Sequence, residues 1–292
     1  MTVYFLDRNV VNLVKTVATS SDYSQLIKKG DKKTTQRNLE MIRNLKRQDK
    51  MKNIHTCVLS IIEGETGKPQ NDVDLKKVAE KEIQSLSSFF KKSKTDIGVL
   101  PFIQRNSGLF PNGLWEESAD SVCSFLEFIS SQIFQPVSSK KLSSVRDDIL
   151  EKAFCLNVDL KHPSVILSLA ALYGCEYAWR VIKPSKKKFN KYNAYNDIMT
   201  PFRISELTSK EVDDWCFLTL DVDLSYYVKK NVFFLSSARE VSFSPYLNNR
   251  VNKSFSYGVD IQMFEKLDDN ERSELLQIIE SPYKHLGLKK RL

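Results

Sequence analysis

Val3-Tyr4-Phe5-Leu6-Asp7 and Trp215-Cys216-Phe217-Leu218-Thr219-Leu220-Asp221 are the stretches whose reading decides the fold. Each is a short apolar run, rich in aromatic or β-branched side chains, that stops at an acid. That is the pattern of a buried strand delivering a carboxylate at its carboxyl end. After Asp7 the period changes: Val10, Val11, Leu13, Val14 and Val17 recur as on one helix face. A polar stretch, Ser20 to Lys33, leads to a second helix in which Leu39, Ile42 and Leu45 recur amid Arg and Lys. The run His55-Thr-Cys-Val-Leu-Ser-Ile-Ile62 reads as a strand feeding directly into Glu63-Gly-Glu-Thr-Gly67, and Val232-Phe-Phe-Leu235 as another strand.

Residues 72 to 160 carry a helical period. Leu75, Val78, Ala79, Leu86 and Phe90 form one stripe, and Ala119, Val122, Leu126, Ile129 and Ile133 another. Gly98-Val-Leu-Pro and Leu109-Phe-Pro-Asn-Gly113 between them are turn signals. Val165 to Trp179 is apolar nearly all round and predicts a central buried helix; Leu275 to Ile279 is one more amphipathic stretch. Strands separated by helices predict an α/β fold with a mainly parallel sheet. The expected organisation is one domain over residues 1–292. Its core motifs lie in 1–67 and 165–236, with a helical insertion at about 72–160 and a C-terminal extension at 237–292.

With 41% hydrophobic and 27% charged residues, the composition excludes collagenous, mucin-like and wholly disordered classes. Lys and Arg number 44 against 36 Asp and Glu, a formal charge of +8 that favours anionic partners, nucleic acid first. The five cysteines are scattered and show no CxxC spacing, so neither a zinc ribbon nor a disulfide framework is expected. The N-terminus has no basic leader followed by a long apolar core, and no run approaches the ~18 apolar residues that cross a bilayer. A cytoplasmic protein without membrane attachment is the expectation. No Gly-rich phosphate loop, GxSxG or HExxH occurs, which argues against NTPase, hydrolase-elbow and zinc-protease readings.

Parallel sheets place functional groups beyond the carboxyl ends of their strands. Asp7, Glu63 with Glu65, and Asp221 with Asp223 fall at such points, and Asp197 lies at an expected helix start. Carboxylates gathered at one edge repel unless a cation neutralises them, and oxygen ligands without a His or Cys cluster suit Mg²⁺ or Mn²⁺. Taken singly, Asp7 or Asp197 could instead be a helix N-cap, and Glu63, Glu65 or Asp223 a solvated loop acid.

The arrangement resembles the PIN-domain nucleases. The motifs that carry the resemblance are Tyr4-Phe-Leu-Asp-Arg-Asn9, Leu59-Ser-Ile-Ile-Glu63, Asn196-Asp-Ile198 and Phe217-Leu-Thr-Leu-Asp-Val-Asp-Leu224, in that order. The resemblance implies a PIN-like sheet flanked by helices and an endonuclease, with RNA the commoner substrate and DNA the other. Asp7, Glu63, Asp197 and Asp221 would hold one or two Mg²⁺ or Mn²⁺ ions, with Asp223 joining and Glu65 in reserve for Glu63. Asn9, Asn196 and Thr219 would be supporting residues. It also implies a role as a toxin or phage-defence effector, with an antitoxin or regulatory protein as a partner. The lysines Lys183, Lys186, Lys187, Lys188 and Lys191, interleaved with Phe189 and Tyr192, are the expected nucleic-acid contact. A non-catalytic PIN-like binding module, built on the same scaffold, is the alternative.

Overall fold

Strand β1 (Val3–Leu6) is central, with parallel neighbours on both sides. The computed structural model describes residues 1–19, 31–66, 68, 70–105, 116, 118–208, 214–231 and 267–287. Among these residues the sheet has four strands, all parallel, in the order β3-β2-β1-β4, where β2 is Ile54–Thr56, β3 Lys94–Thr95 and β4 Trp215–Leu218. The chain is mainly helical with this one small parallel sheet among the described residues, an α/β fold. No described helix is long and apolar enough to cross a membrane.

The chain divides into two units. The described residues of the first are those within 1–105 given above, 206–208 and 214–225, and those of the second are 116, 118–205, 226–231 and 267–287.

In the first unit, α1 (Arg8–Thr19) follows β1 directly, as the change of period at Asp7 requires. Next come α2 (Lys32–Gln48), α3 (Val58–Glu63), α4 (Asp72–Phe89) and α5 (Leu100–Arg105). Leu6, Val10, Val11 and Val14 pack with Ile42 and Leu45 of α2 and with Ala79, Ile83 and Leu86 of α4 in one buried core. The helix 72–89 thus shares the core of the sheet, although the sequence placed it in the insertion. Asp49 fastens this packing. Its carboxylate accepts the backbone N–H groups of Lys91 (2.9 Å), Lys92 (3.0 Å) and Ser93 (2.8 Å), joining the end of α2 to the approach to β3.

Two expectations in this unit are corrected. The run from His55 to Ile62 is not one strand: β2 ends at Thr56 and α3 begins at Val58. The break comes where Asp96 accepts the Cys57 N–H at 2.8 Å, diverting it from the ladder. Glu63 therefore ends a helix and does not directly follow a strand. The two-residue β3, formed by polar Lys94 and Thr95, carries no apolar signal at all.

The second unit is helical: α6 (Ala119–Ile133), α7 (Leu142–Cys155), α8 (Pro163–Leu172), α9 (Glu176–Ile182), most of α10 (Lys191–Leu207), α12 (Asp269–Glu280) and α13 (Pro282–His285). Between β4 and α12, helix α11 (Val222–Asn231) begins in the first unit and ends in the second. Every residue of α8 is buried, as the all-round apolar sequence predicts. The expected single helix over 165–179 is two, however, because Gly174 takes φ +86° and turns the chain between α8 and α9. The expected strand at 232–235, the turn at 109–113, Gly67, residues 20–30 and the basic Lys289–Arg291 lie outside the described residues.

Candidate functional site

The strand order defines where a site can sit. From β1 the chain moves to β2 and β3 on one side, then returns to β4 on the other, so the order reverses between β1 and β4. Open parallel sheets bind ligands beyond the carboxyl ends of strands at such a reversal. Leu6 pairs with Leu218 at the end of that register, and the Asp7 N–H continues the ladder to the Leu218 carbonyl at 3.0 Å. Asp7 and Thr219 therefore leave the sheet side by side.

A closed set of hydrogen bonds ties these ends together. The Thr219 hydroxyl donates to Asp7 Oδ2 (2.6 Å) and accepts the Asp221 N–H (2.9 Å) and the Asn9 carboxamide N–H (3.0 Å). The Asn9 carboxamide also donates to Asp7 Oδ2, and its oxygen accepts the Leu220 N–H at 2.9 Å. The Arg8 N–H donates to Asp7 Oδ1 at 2.9 Å. Asn9 and Thr219, named as supports from the sequence, are thus the groups that orient Asp7. Asp221 caps α11, its Oδ1 accepting the Leu224 N–H at 3.0 Å, and Asp223 lies in the first helical turn, where the helix dipole favours an acid.

Beside this lies a second cluster. Arg8 Nε is 3.9 Å from Glu63 Oε2, and Arg8 Nη1 is 3.2 Å from Oε1 of Glu82, a fully buried residue of α4; Arg8 also donates to the Ser60 carbonyl. Lys15 reaches Glu65 (2.9 Å) and Glu82 (3.8 Å), and Lys81 reaches Glu65 at 3.5 Å. Burial pushes the Glu82 carboxyl above its ordinary value, an effect the Arg8 charge opposes, whereas the hydrogen bond from Lys15 holds Glu65 below its own. The choice left open in the sequence thus has a geometry: Glu65 is bound by two lysines, while Glu63 faces the guanidinium that follows Asp7. Arg8 and Glu82 were missed. Glu82 had a signal, since it falls three residues after Ala79 and four after Val78 on the apolar stripe, where an acid needs a buried cation.

Asp197, Asn196 and the lysine loop belong to the second unit. Asn190 caps α10, accepting the Asn193 N–H at 3.1 Å, so Asp197 lies in the second turn and not at the helix start. Its Oδ2 accepts from Lys183 (2.8 Å) and from Asn193 (2.9 Å). Lys191 pairs with Glu127 at 2.7 Å and the Lys186 ammonium stands 5.7 Å from the centre of the Phe134 ring, while Lys187 and Lys188 are exposed. Asn196 faces inward: its oxygen accepts from Arg203 at 2.8 Å. Arg203 grips Glu116 bidentately (3.1 and 3.0 Å), and the Tyr195 hydroxyl donates to the same carboxylate. Burial would raise the Glu116 carboxyl, but the Arg203 charge and hydrogen bonds carry it down to about 2.

Among the described residues, no group of three or more His, Cys, Asp or Glu side chains is arranged to hold a metal ion. The donor type at the β1–β4 edge nevertheless fits Mg²⁺, which takes oxygen ligands and commonly only one or two protein carboxylates, completing its shell with water and substrate phosphate. No family model, curated protein or solved structure matches the chain.

Proposed function

We propose that the chain is a Mg²⁺- or Mn²⁺-dependent endonuclease with a PIN-like fold and helical insertion, acting on RNA, whose acidic centre is the carboxyl edge of β1 and β4. One observation carries this reading. The Thr219 hydroxyl joins the Asp7 carboxylate and the Asp221 backbone at the point where the strand order reverses.

Asp7 and Asp221 would hold the ion, with Asp223 next to them in the α11 turn. A bound divalent ion supplies Lewis-acid charge for the phosphoryl oxygens and lowers the pKa of a water that attacks phosphorus. The protein's own part is orientation. Thr219 spends its single proton on Asp7, so the hydroxyl cannot donate elsewhere, and Asn9 braces the same oxygen. Arg8 offsets part of the charge of Glu63 and Glu82 beside Asp7, so these two glutamates repel an incoming phosphate less than they would unpaired. The Thr219 hydroxyl, the Asn9 carboxamide and the Arg8 backbone N–H fix the direction of the Asp7 carboxylate, which a cation ligand needs.

The test is cleavage of labelled RNA by the purified chain with Mg²⁺ against chelator. Cleavage should require the metal and disappear in Asp7→Asn while the thermal melt stays in place. Asp197→Asn judges the acid of the second unit by itself: full cleavage in that variant removes Asp197 from the set. The second reading, a non-catalytic binding module, is favoured by the capping role of Asp221, which a static scaffold would also need. RNA retention by wild type and Asp7→Asn alike, with no metal-dependent cleavage by either, decides for it.

A further inference from the structure

Helix α2 carries six cations, Lys32, Lys33, Arg37, Arg43, Lys46 and Arg47, against one acid, Glu40. All six are exposed. At 3.6 residues per turn they occupy one half of the helix circumference, opposite Asn38, Ile42 and Leu45, which are buried. Local physics does not account for this face. Lys33–Arg37 and Arg43–Arg47 are like-charge pairs four residues apart, which oppose the helix. Lys32 and Lys33 stand in the first turn, where the helix dipole disfavours cations; only Lys46 and Arg47, in the last turn, are on the favourable end. Nor is most of the charge used internally. Arg8, Lys15 and the exposed Lys81 have carboxylates opposite them, as do Lys183 and Lys191 of the second unit. Among the described residues, Lys32, Lys33, Arg43 and Arg47 have no such partner. Arg37 donates instead to the Leu220 carbonyl, one residue before Asp221, fastening the basic face to the end of β4.

The geometry points to the exposed face of α2 as the surface on which a nucleic-acid backbone docks beside the β1–β4 edge. It deepens the nuclease reading, on which it rests for the class of ligand. The helix is 17 residues long, so about 25 Å, long enough to lie along several successive phosphates of an RNA strand. A membrane surface fits less well. The apolar side chains Ile42 and Leu45 are turned into the core, and Leu39, at the edge of the basic half, packs partly buried against that core, so the face has no exposed Trp, Phe or Leu for an interfacial helix to insert.

The test is binding, measured in chelator so that nothing is cut, by fluorescence anisotropy of the full chain with a labelled single-stranded oligoribonucleotide. The variant is Lys33→Gln/Arg43→Gln/Arg47→Gln, with Arg37 left in place as the anchor. Relief of like-charge repulsion should leave its melting temperature unchanged or slightly raised. Affinity at low salt should fall at least about tenfold, and the slope of log affinity against log salt should shrink by about 2, three contacts at ~0.7 each. Arg43→Lys/Arg47→Lys should bind as wild type does. Asp7→Asn should also bind as wild type, so that lost binding is separated from lost chemistry. Wild-type affinity and slope in the Gln variant would overturn the proposal, whatever the cleavage result. So would a variant that loses binding to phosphatidylserine vesicles but keeps it for RNA. A greater loss in Lys186→Gln/Lys187→Gln/Lys188→Gln, with α2 neutral, would overturn it and leave the nuclease reading standing.

Discussion

His55 makes the first unit sensitive to acid. Its ring is completely buried, stacked between Tyr4 (centroids 4.8 Å apart) and Phe90 (3.9 Å), and neither ring nitrogen has a hydrogen-bond partner among the described residues. Desolvation lowers its pKa from 6.5 to about 4, against a small opposing effect of Asp49. Between those two values the unfolded chain takes up a proton that the native state refuses, so stability rises with pH in this window and falls as pH drops from 6.5 toward 4. At about 1.4 kcal/mol per pH unit the whole loss is about 3 kcal/mol, of which about 2 has been lost by pH 5; above pH 6.5 His55 contributes no slope. The perturbation is His55→Phe, which keeps a ring in the stack and removes the titration. Urea denaturation at pH 7 and pH 5, with hydrogen exchange of β1 and β2 amides to isolate this unit, should show the wild type losing about 2 kcal/mol more than the variant. The variant should also gain at pH 7 from removal of two unmatched buried polar atoms, less any strain from the larger ring. An acid loss of equal size in both proteins would refute the assignment to His55.

Other variants probe the remaining polar anchors. Asp49→Ala frees three backbone N–H groups and should lose about 2 kcal/mol in urea denaturation. Those three donors overcome burial and hold the Asp49 carboxyl below its ordinary 3.8, so its contribution persists above that value and is lost only as pH falls through the lower native one. Arg203→Met strands the Glu116 carboxylate and should lower stability by about 3–5 kcal/mol, whereas the double variant Arg203→Met/Glu116→Met should recover most of it in the same thermal melts. Thr219→Val should reduce metal-dependent cleavage by up to about 100-fold with little change in RNA affinity, and Thr219→Ser should restore it; equal rates in Val and Ser would remove the hydroxyl from the site.

The parts of the fold legible in the sequence are those where burial is continuous. β1 and β4 are apolar on every position, β1 stopping at Asp7 and β4 running through Thr219 and Leu220 to Asp221, so both strands could be read, and with them the acids, Asn9 and Thr219 as candidates. The boundary of β2 could not be read, because Cys57 to Ile62 is apolar but for Ser60, and so short an apolar run has no period to separate a strand from a buried helix turn. What ends the strand is Asp96, forty-one residues after His55 in the chain, and such a tertiary partner leaves no local mark. For the same reason Arg8 read as a spacer between Asp7 and Asn9, when its partner Glu82 lies on a distant helix. The lysine loop was conspicuous because its charges are adjacent in sequence, whereas those of α2 are spread over sixteen residues and become one face only when the helix forms.

The charges of the first unit are sorted, and the sorting bears on which acids can do chemistry. Glu63, Glu65 and Glu82 stand opposite Arg8, Lys15 and Lys81, so each carboxylate there has a cation already beside it. Asp7 and Asp221 are positioned by a hydroxyl, a carboxamide and backbone N–H groups. An ion pair cancels a carboxylate's charge toward a third ion, whereas neutral donors fix its direction and leave the charge in place. On the proposed nuclease reading, a divalent cation at this edge would be held by Asp7 and Asp221, whose directions these donors fix. Arg8→Gln separates the two sets. It should strand the buried Glu82 and lower stability by about 3 kcal/mol or more, seen in urea denaturation. It should also leave Glu63 uncompensated and tighten Mn²⁺ binding in titration calorimetry. Weaker Mn²⁺ binding in a folded Arg8→Gln protein would show that the guanidinium shapes the metal-binding edge directly, contrary to this division of labour.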